Sequence, residues 1–208
     1  MGKLIYTMNV SLDGYVESSD GGLDWTGVDD ELHAWFTEEL RLIEASLYGR
    51  RLYETMAAYW PTGETDPAGT EVTREYARVW NATPRFVFST TLEEVQWNSR
   101  LMQGDVGAAL GRIRDEFDGD LEVGGPTLAA EFIRRGLVDE YRLIVHPVFL
   151  GAGKPYFPPL DEPLRLRPID THRFTSGVVY HAYSRAQAAT IGRHGRRPRR
   201  VRRHPRRR

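Results

Sequence analysis

The chain of 208 residues contains no cysteine. That absence excludes disulfides, thiolate nucleophiles and thiolate-ligated zinc or iron–sulfur clusters together. No apolar run approaches the roughly 18–20 residues of a membrane span. The opening MGKLIYTMNV lacks a basic stretch followed by a long apolar one, so no signal peptide is expected and a cytoplasmic location is the default reading. The six histidines show no metal-ligand spacing, and no metal site is expected. Acidic residues are missing from the C-terminal end: Arg193 to Arg208 holds ten arginines and no Asp or Glu. Setting those ten aside leaves 18 Lys and Arg against 29 Asp and Glu, a formal charge of −11 over residues 1–192.

With 40% hydrophobic and 11% aromatic residues, the rest of the chain can build one core. Residues 1–186 are read as one domain and 187–208 as an Arg-rich tail. A block of like charge with two prolines buries too little surface to fold, so the tail is expected to be disordered.

Hydrophobic periodicity orders the domain. Lys3–Val10 has strand composition, and Ser11–Gly14 and Asp20–Gly22 read as turns. Between Asp29 and Ile43, Leu32, Trp35, Phe36, Leu40 and Ile43 recur at three- and four-residue spacing, which predicts an amphipathic helix with an acidic first turn. Ala45–Tyr48 reads as a strand, Arg50–Ala58 as a helix, Pro61–Gly69 as a loop and Glu71–Trp80 as a helix. Arg85–Ser89 and Asp120–Val123 are predicted strands, Asp105–Phe117 and Thr127–Arg135 helices. Asp139–Val145 is a strand that Pro147–Leu150 continues or pairs with, and Leu164–Phe174 with Gly177–Tyr183 forms a terminal hairpin. Alternating strands and helices followed by strands alone predict an α/β sheet with antiparallel strands at its C-terminal end.

The junction Leu121–Glu122–Val123–Gly124–Gly125–Pro126–Thr127 carries the most chemistry. An apolar strand ends in two glycines and a helix begins at once. Main-chain N–H groups at a helix N-terminus point outward, and glycine lets an anion approach them. Pro126 suits the first helical position, where a missing N–H costs nothing. Many such turns bind nothing, so the motif alone leaves an anion site and a tight βα turn both open.

Four segments together decide more: SLDGY, YGRRLYETMAAYWP, RFVFSTTLEEVQW and LEVGGPTLAAEFIRRGLVDEYRLIVHPVFLGAGKPYF. In this order they resemble the dihydrofolate reductase-like superfamily, and within it the branch of the bacterial riboflavin-biosynthesis reductase domain and its stand-alone relatives. The resemblance covers residues 3–183. It implies a three-layer α/β fold whose central, mostly parallel sheet is flanked by helices and ends in an antiparallel hairpin. It also implies an NADPH-dependent reductase acting on a small pyrimidine- or pterin-like molecule, foremost 5-amino-6-(5-phosphoribosylamino)uracil, and a homodimer. The deaminase that accompanies this reductase in the riboflavin pathway needs zinc-binding cysteines, which this sequence does not have.

The resemblance places Gly49, Arg50 and Arg51 at the adenosine-phosphate end of the cofactor, Ser89 and Thr90 beside the adenine ribose, and Gly124, Gly125, Pro126 and Thr127 around the pyrophosphate and nicotinamide. Paired arginines favour NADPH over NADH, because the guanidinium fork matches a phosphate; the alternative is two solvated first-turn residues. Ser89 and Thr90 also fit a helix cap or turn. Leu52 departs from the family, which usually has threonine there, leaving backbone N–H groups to serve the pyrophosphate.

On the substrate side, Asp13 is the candidate catalytic carboxylate, with an Asx turn to Gly14 as the alternative. Trp25 and Lys154 are the candidate substrate contacts, Lys154 for a ribose 5′-phosphate. Trp35, Trp60 and Tyr156 are further stacking candidates that also suit a core. Folate reduction calls for an acid on the first helix; aligning on Ala34–Trp35–Phe36 puts Leu32 at that position, against folate as substrate. A nucleic-acid role rests on the arginine tail alone, which would bind phosphate backbones without sequence choice.

Overall fold

The computed structural model describes residues 2–186; the segment expected to be disordered lies outside the described residues. The chain opens with β1 (Leu4–Ser11), β2 (Tyr15–Ser18), α1 (Asp30–Arg41), β3 (Ile43–Gly49), α2 (Arg50–Ala57) and the single turn α3 (Trp60–Gly63). It continues with α4 (Glu71–Ala82), β4 (Arg85–Phe88), β5 (Ser99–Met102), α5 (Val106–Glu116), β6 (Asp120–Gly124) and α6 (Pro126–Arg134). It closes with β7 (Glu140–His146), β8 (Gly153–Pro155), β9 (Leu166–Arg173) and β10 (Val179–Arg185).

Eight strands form one sheet in the order β5-β4-β3-β6-β1-β7-β10-β9. The pairings from β5 through to β7 are parallel, and β10 pairs antiparallel with both β7 and β9. The three-layer fold and its antiparallel end are those expected. Parallel strands need covering on both faces, and the alternation of side chains divides them. Tyr6, Leu47, Leu121 and Val123 meet Leu110 and Ile113 of α5 and Phe132 and Ile133 of α6 in one core. On the opposite face Ile5 and Ile43 pack with Leu40 of α1 and Trp80 of α4.

Three strands escape the sequence reading. β5 is four residues long and follows Trp97 and Asn98, both at positive φ. β2 and β8 form a separate antiparallel pair beside the main sheet. Elements this short give too few alternations to stand out. Pro147–Leu150 neither continues β7 nor forms a strand of its own, because it runs as a loop whose Val148 carbonyl accepts from Leu12 N–H at 2.8 Å. The predicted loop at Pro61–Gly69 begins inside the α3 turn.

Candidate functional site

The neighbours β3 and β6 each run directly into a helix, so α2 and α6 start side by side at the carboxyl edge of the sheet. Gly49 precedes α2 in an extended conformation, and Gly125 precedes α6 at φ 88° and ψ 125°. A side chain at Gly125 would be strained there. Neither helix has a side-chain cap, so the first-turn N–H groups keep free hydrogen-bonding capacity and the positive ends of two helix dipoles. Gly124 serves close approach: a Cβ there would overlap Leu52 Cδ2. Leu52 thus fills with hydrocarbon the space beside the glycine pair.

A cavity of about 480 Å³ opens in front of these two N-termini, on the face covered by α5 and α6. Its size suits a small-molecule or cofactor site. Met8, Val16, Leu23, Phe88, Met102 and Leu128 give it apolar walls. Of the residues expected to hold a dinucleotide, Gly49, Arg50, Arg51, Ser89, Thr90, Gly125, Pro126 and Thr127 line it, and so does Lys154. Gly124 lies behind Leu52 and is not among the lining residues.

The charged side chains around the cavity are held in place. Arg50 donates through Nε to Glu54 Oε1 at 2.7 Å and through Nη1 to Thr91 Oγ1 at 2.8 Å. Arg51 reaches across to Glu17, with Nη2 3.0 Å from Oε2. Lys154 Nζ donates to Thr127 Oγ1 at 2.5 Å. Ser89 Oγ accepts from the N–H groups of Thr91 and Leu92 at 3.1 and 3.0 Å, so it closes a turn while also facing the cavity.

Asp13 and Trp25 lie outside the cavity lining. The Asp13 carboxylate accepts from Ser11 Oγ at 2.7 Å, Leu150 N–H at 3.2 Å and Gly151 N–H at 2.8 Å. It ties the loop after β1 to the loop after β7. Burial opposes its ionisation, but these hydrogen bonds outweigh burial and hold its pKa below the ordinary carboxylate value. Trp25 meets His146 edge-on at 5.5 Å and donates to Gly22 O at 3.3 Å. His146 is buried at the end of β7 against Asn9 Oδ1, and desolvation lowers its pKa. The other aromatic candidates are packing residues: Tyr156 stacks on Tyr6 at 4.2 Å, Trp60 meets Tyr76 at 4.4 Å, and Trp35 meets Tyr180 at 4.8 Å. Leu32 is fully buried in the cluster of Ile144, Phe174 and Tyr180.

Behind the glycine pair, Glu122 of β6 points to the α1 and α4 side of the sheet. Burial pushes its pKa up to about 7, against a lowering bond from Thr7. Nearby, Arg142 joins Glu39 to Glu140, and Lys3 closes the chain 3.0 Å from Glu140. This network belongs to the sheet interior and α1, away from the cavity.

Residues that the sequence reading passed over complete the site. Glu17 projects into the cavity from β2, and Thr91 fixes Arg50. The signal for Glu17 was present in Tyr15–Ser18, a brief alternation between Gly14 and Gly21, but it was hidden by its brevity. Thr91 sits in RFVFSTT, one residue beyond the pair chosen.

Residues 2–180 match the RibD C-terminal domain. The chain belongs to that family. It is similar to the Bacillus subtilis (strain 168) protein YyaP, with 32% identity over 182 residues, covering 87% of this chain and 94% of YyaP. Among solved structures it is similar to a candidate riboflavin biosynthesis protein of Shewanella sp. PV-4, with TM-score 0.70 and 21% identity over 89% of this chain and 99% of that one. It is also similar to dihydrofolate reductase from Enterococcus faecalis complexed with NADP(H), with TM-score 0.60 and 18% identity over 89% and 98% of the two chains. At these identities the structural likenesses establish the fold, which is dihydrofolate reductase-like. The family match carries the coarser functional statement, a reductase-like domain of riboflavin-biosynthesis type.

Proposed function

We propose that this RibD C-terminal-type domain is an NADPH-dependent reductase of a small pyrimidine-like substrate, foremost 5-amino-6-(5-phosphoribosylamino)uracil. The observation that carries the reading is the pair of uncapped helix N-termini, α2 and α6, opening side by side on one cavity with Arg50, Arg51 and Lys154 around it. Their free N–H groups and dipoles suit the phosphates of a dinucleotide, and guanidinium forks suit a further phosphate. The residues fit such a group: no side chain caps either helix, and Gly49 and Gly125 leave the approach clear.

NADPH, when bound, supplies the hydride. The chain's own part is to bind, orient and exclude water. Arg50, pre-set by Glu54 and Thr91, offers a fixed cation for the adenosine phosphate end. Thr127 and the N-terminus of α6 receive the pyrophosphate. Met8, Val16, Leu23 and Met102 keep the reacting region dry, which strengthens every polar contact inside it. Reducing the ring-opened ribosyl imine or aldehyde also consumes one proton. We assign that proton to solvent, because Asp13 lies outside the cavity lining and its hydrogen bonds hold it as the ionised carboxylate, which has no proton to give.

The test is a titration of the full-length protein with NADPH and with NADH, followed by the fluorescence of the reduced nicotinamide. NADPH oxidation is then measured with the aminopyrimidine ribosyl phosphate. The reading predicts NADPH binding at least about tenfold tighter than NADH, a factor worth about 1.4 kcal/mol. Absence of binding by either nucleotide removes the reductase assignment.

A further inference from the structure

Arg51 is the cation that bridges the cavity, and its partner is a carboxylate of the same chain. Glu17 stands on β2, and its side chain is only 16% exposed whereas that of Arg51 is 65% exposed. Their 3.0 Å contact joins the first turn of α2 to the β2–β8 pair, which forms one wall of the cavity. A second cation lies next to Glu17: Lys154 is its cross-strand partner in the β2–β8 ladder. Side chains directly opposite in an antiparallel pair lie on one face, a few ångströms apart. Lys154 is engaged instead with Thr127 Oγ1 at the start of α6, where the site offers its main-chain N–H groups. Glu17 therefore has a second cation beside it on the ladder and is paired with Arg51, both cations lining the cavity.

We propose that Glu17 is a built-in stand-in for a ligand phosphate, and that binding is a carboxylate-for-phosphate exchange on Arg51. This rests on the nucleotide reading above and names the residue that tunes it. An arriving phosphate takes Arg51, Glu17 turns to Lys154 across the ladder, and Lys154 leaves Thr127 free for the ligand. The largely buried Glu17 thus keeps a cationic partner before and after the exchange, which spares it the cost of standing unpaired beside the apolar wall. The consequence is a lowered affinity for phosphate-bearing ligands, because Glu17 competes with them for Arg51.

The experiment compares the full-length protein with Glu17→Gln, Arg51→Met and the double variant, each titrated with NADPH and separately with inorganic pyrophosphate. Glu17→Ala is carried alongside, and thermal unfolding checks that every variant folds. The exchange predicts that Glu17→Gln binds both ligands about five- to tenfold tighter than the wild type. In the Arg51→Met background the same substitution should change affinity by less than about twofold, since the competition is gone. Glu17→Gln and Glu17→Ala that bind no tighter, or a gain that persists without Arg51, overturn the exchange and leave the nucleotide reading standing if NADPH still binds. The full pattern with pyrophosphate and no binding of NADPH by any variant upholds the exchange and removes the nucleotide reading. No binding of either ligand to any variant removes both.

Discussion

Helices α1, α4 and α5 begin differently from α2 and α6. Asp29 Oδ1 accepts from Leu32 N–H at 2.9 Å, Thr70 Oγ1 from Thr73 N–H at 3.2 Å, and Asp105 Oδ1 from Ala108 N–H at 2.9 Å. Each of these helices satisfies its own first turn with a side chain. Gly49 and Gly125 have no side chain with which to do so, and among the described helices of two turns or more theirs alone lack a cap. These two N-termini face the cavity. The contrast teaches that the helix ends at the cavity differ in what they leave available: α5 brings Val106 to the lining with its first turn closed by Asp105, whereas α2 and α6 reach the lining with their first-turn N–H groups uncapped.

The strongest way to break this contrast is Gly125→Val. The backbone at φ 88° and ψ 125° is one that L side chains rarely adopt, and forcing it costs about 1–3 kcal/mol. Thermal unfolding should show that loss, and NADPH titration should show binding reduced at least about 100-fold as the entrance to α6 distorts. Strand β6 supplies a control on its other face. The folded-state pKa of Glu122 lies above the ordinary 4.5, at about 7, so ionising it works against folding. Its contribution is intact at acid pH and is lost as pH rises through about 7. Glu122→Gln should therefore leave stability nearly unchanged at pH 4.5 and raise it by about 1–2 kcal/mol at pH 8, with NADPH affinity unchanged; denaturant unfolding at both pH values checks this.

Arg50→Ala should sharpen the contrast by lowering NADPH affinity about tenfold while moving stability by less than about 0.5 kcal/mol, since its ion pair with Glu54 is exposed. Asp29→Ala should do the reverse. It should cost about 1 kcal/mol of stability and leave nucleotide binding where it was, as parallel unfolding and titration experiments would show.

Much of the fold was legible in the sequence because its periodic elements are long. Leu32, Trp35, Phe36 and Leu40 announce α1, although Ile43, read as its last apolar position, opens β3 because the helix stops at Arg41; Leu121–Gly125 announces both the sheet and the break in it. What escaped was set by tertiary context. β5 and the β2–β8 pair are too short to carry a period, and their pairing depends on neighbours distant in sequence. The site divides the same way. The glycine pair before α6 could be read locally and Gly49, Arg50 and Arg51 through the family resemblance, whereas Glu17 carried no such signal. Asp13 lies within SLDGY and Glu17 two residues beyond it, but Asp13 accepts from Leu150 and Gly151, some 137 residues away. Glu17 is turned into the cavity by pairing with β8. Trp25, Trp35 and Tyr156 show the same limit: composition marks an aromatic, and only packing decides what it faces.

The most direct measurement is a nitrogen–proton NMR titration of the full-length protein with NADPH, read at the helix N-termini. NADPH bound at the open helix ends should shift the amides of Arg50, Arg51, Leu52, Thr127 and Leu128 on saturation while those of Leu32 and Thr73, at the capped helices α1 and α4 away from the cavity, stay in place. Shifts confined to other regions, or none at any concentration, would contradict binding there.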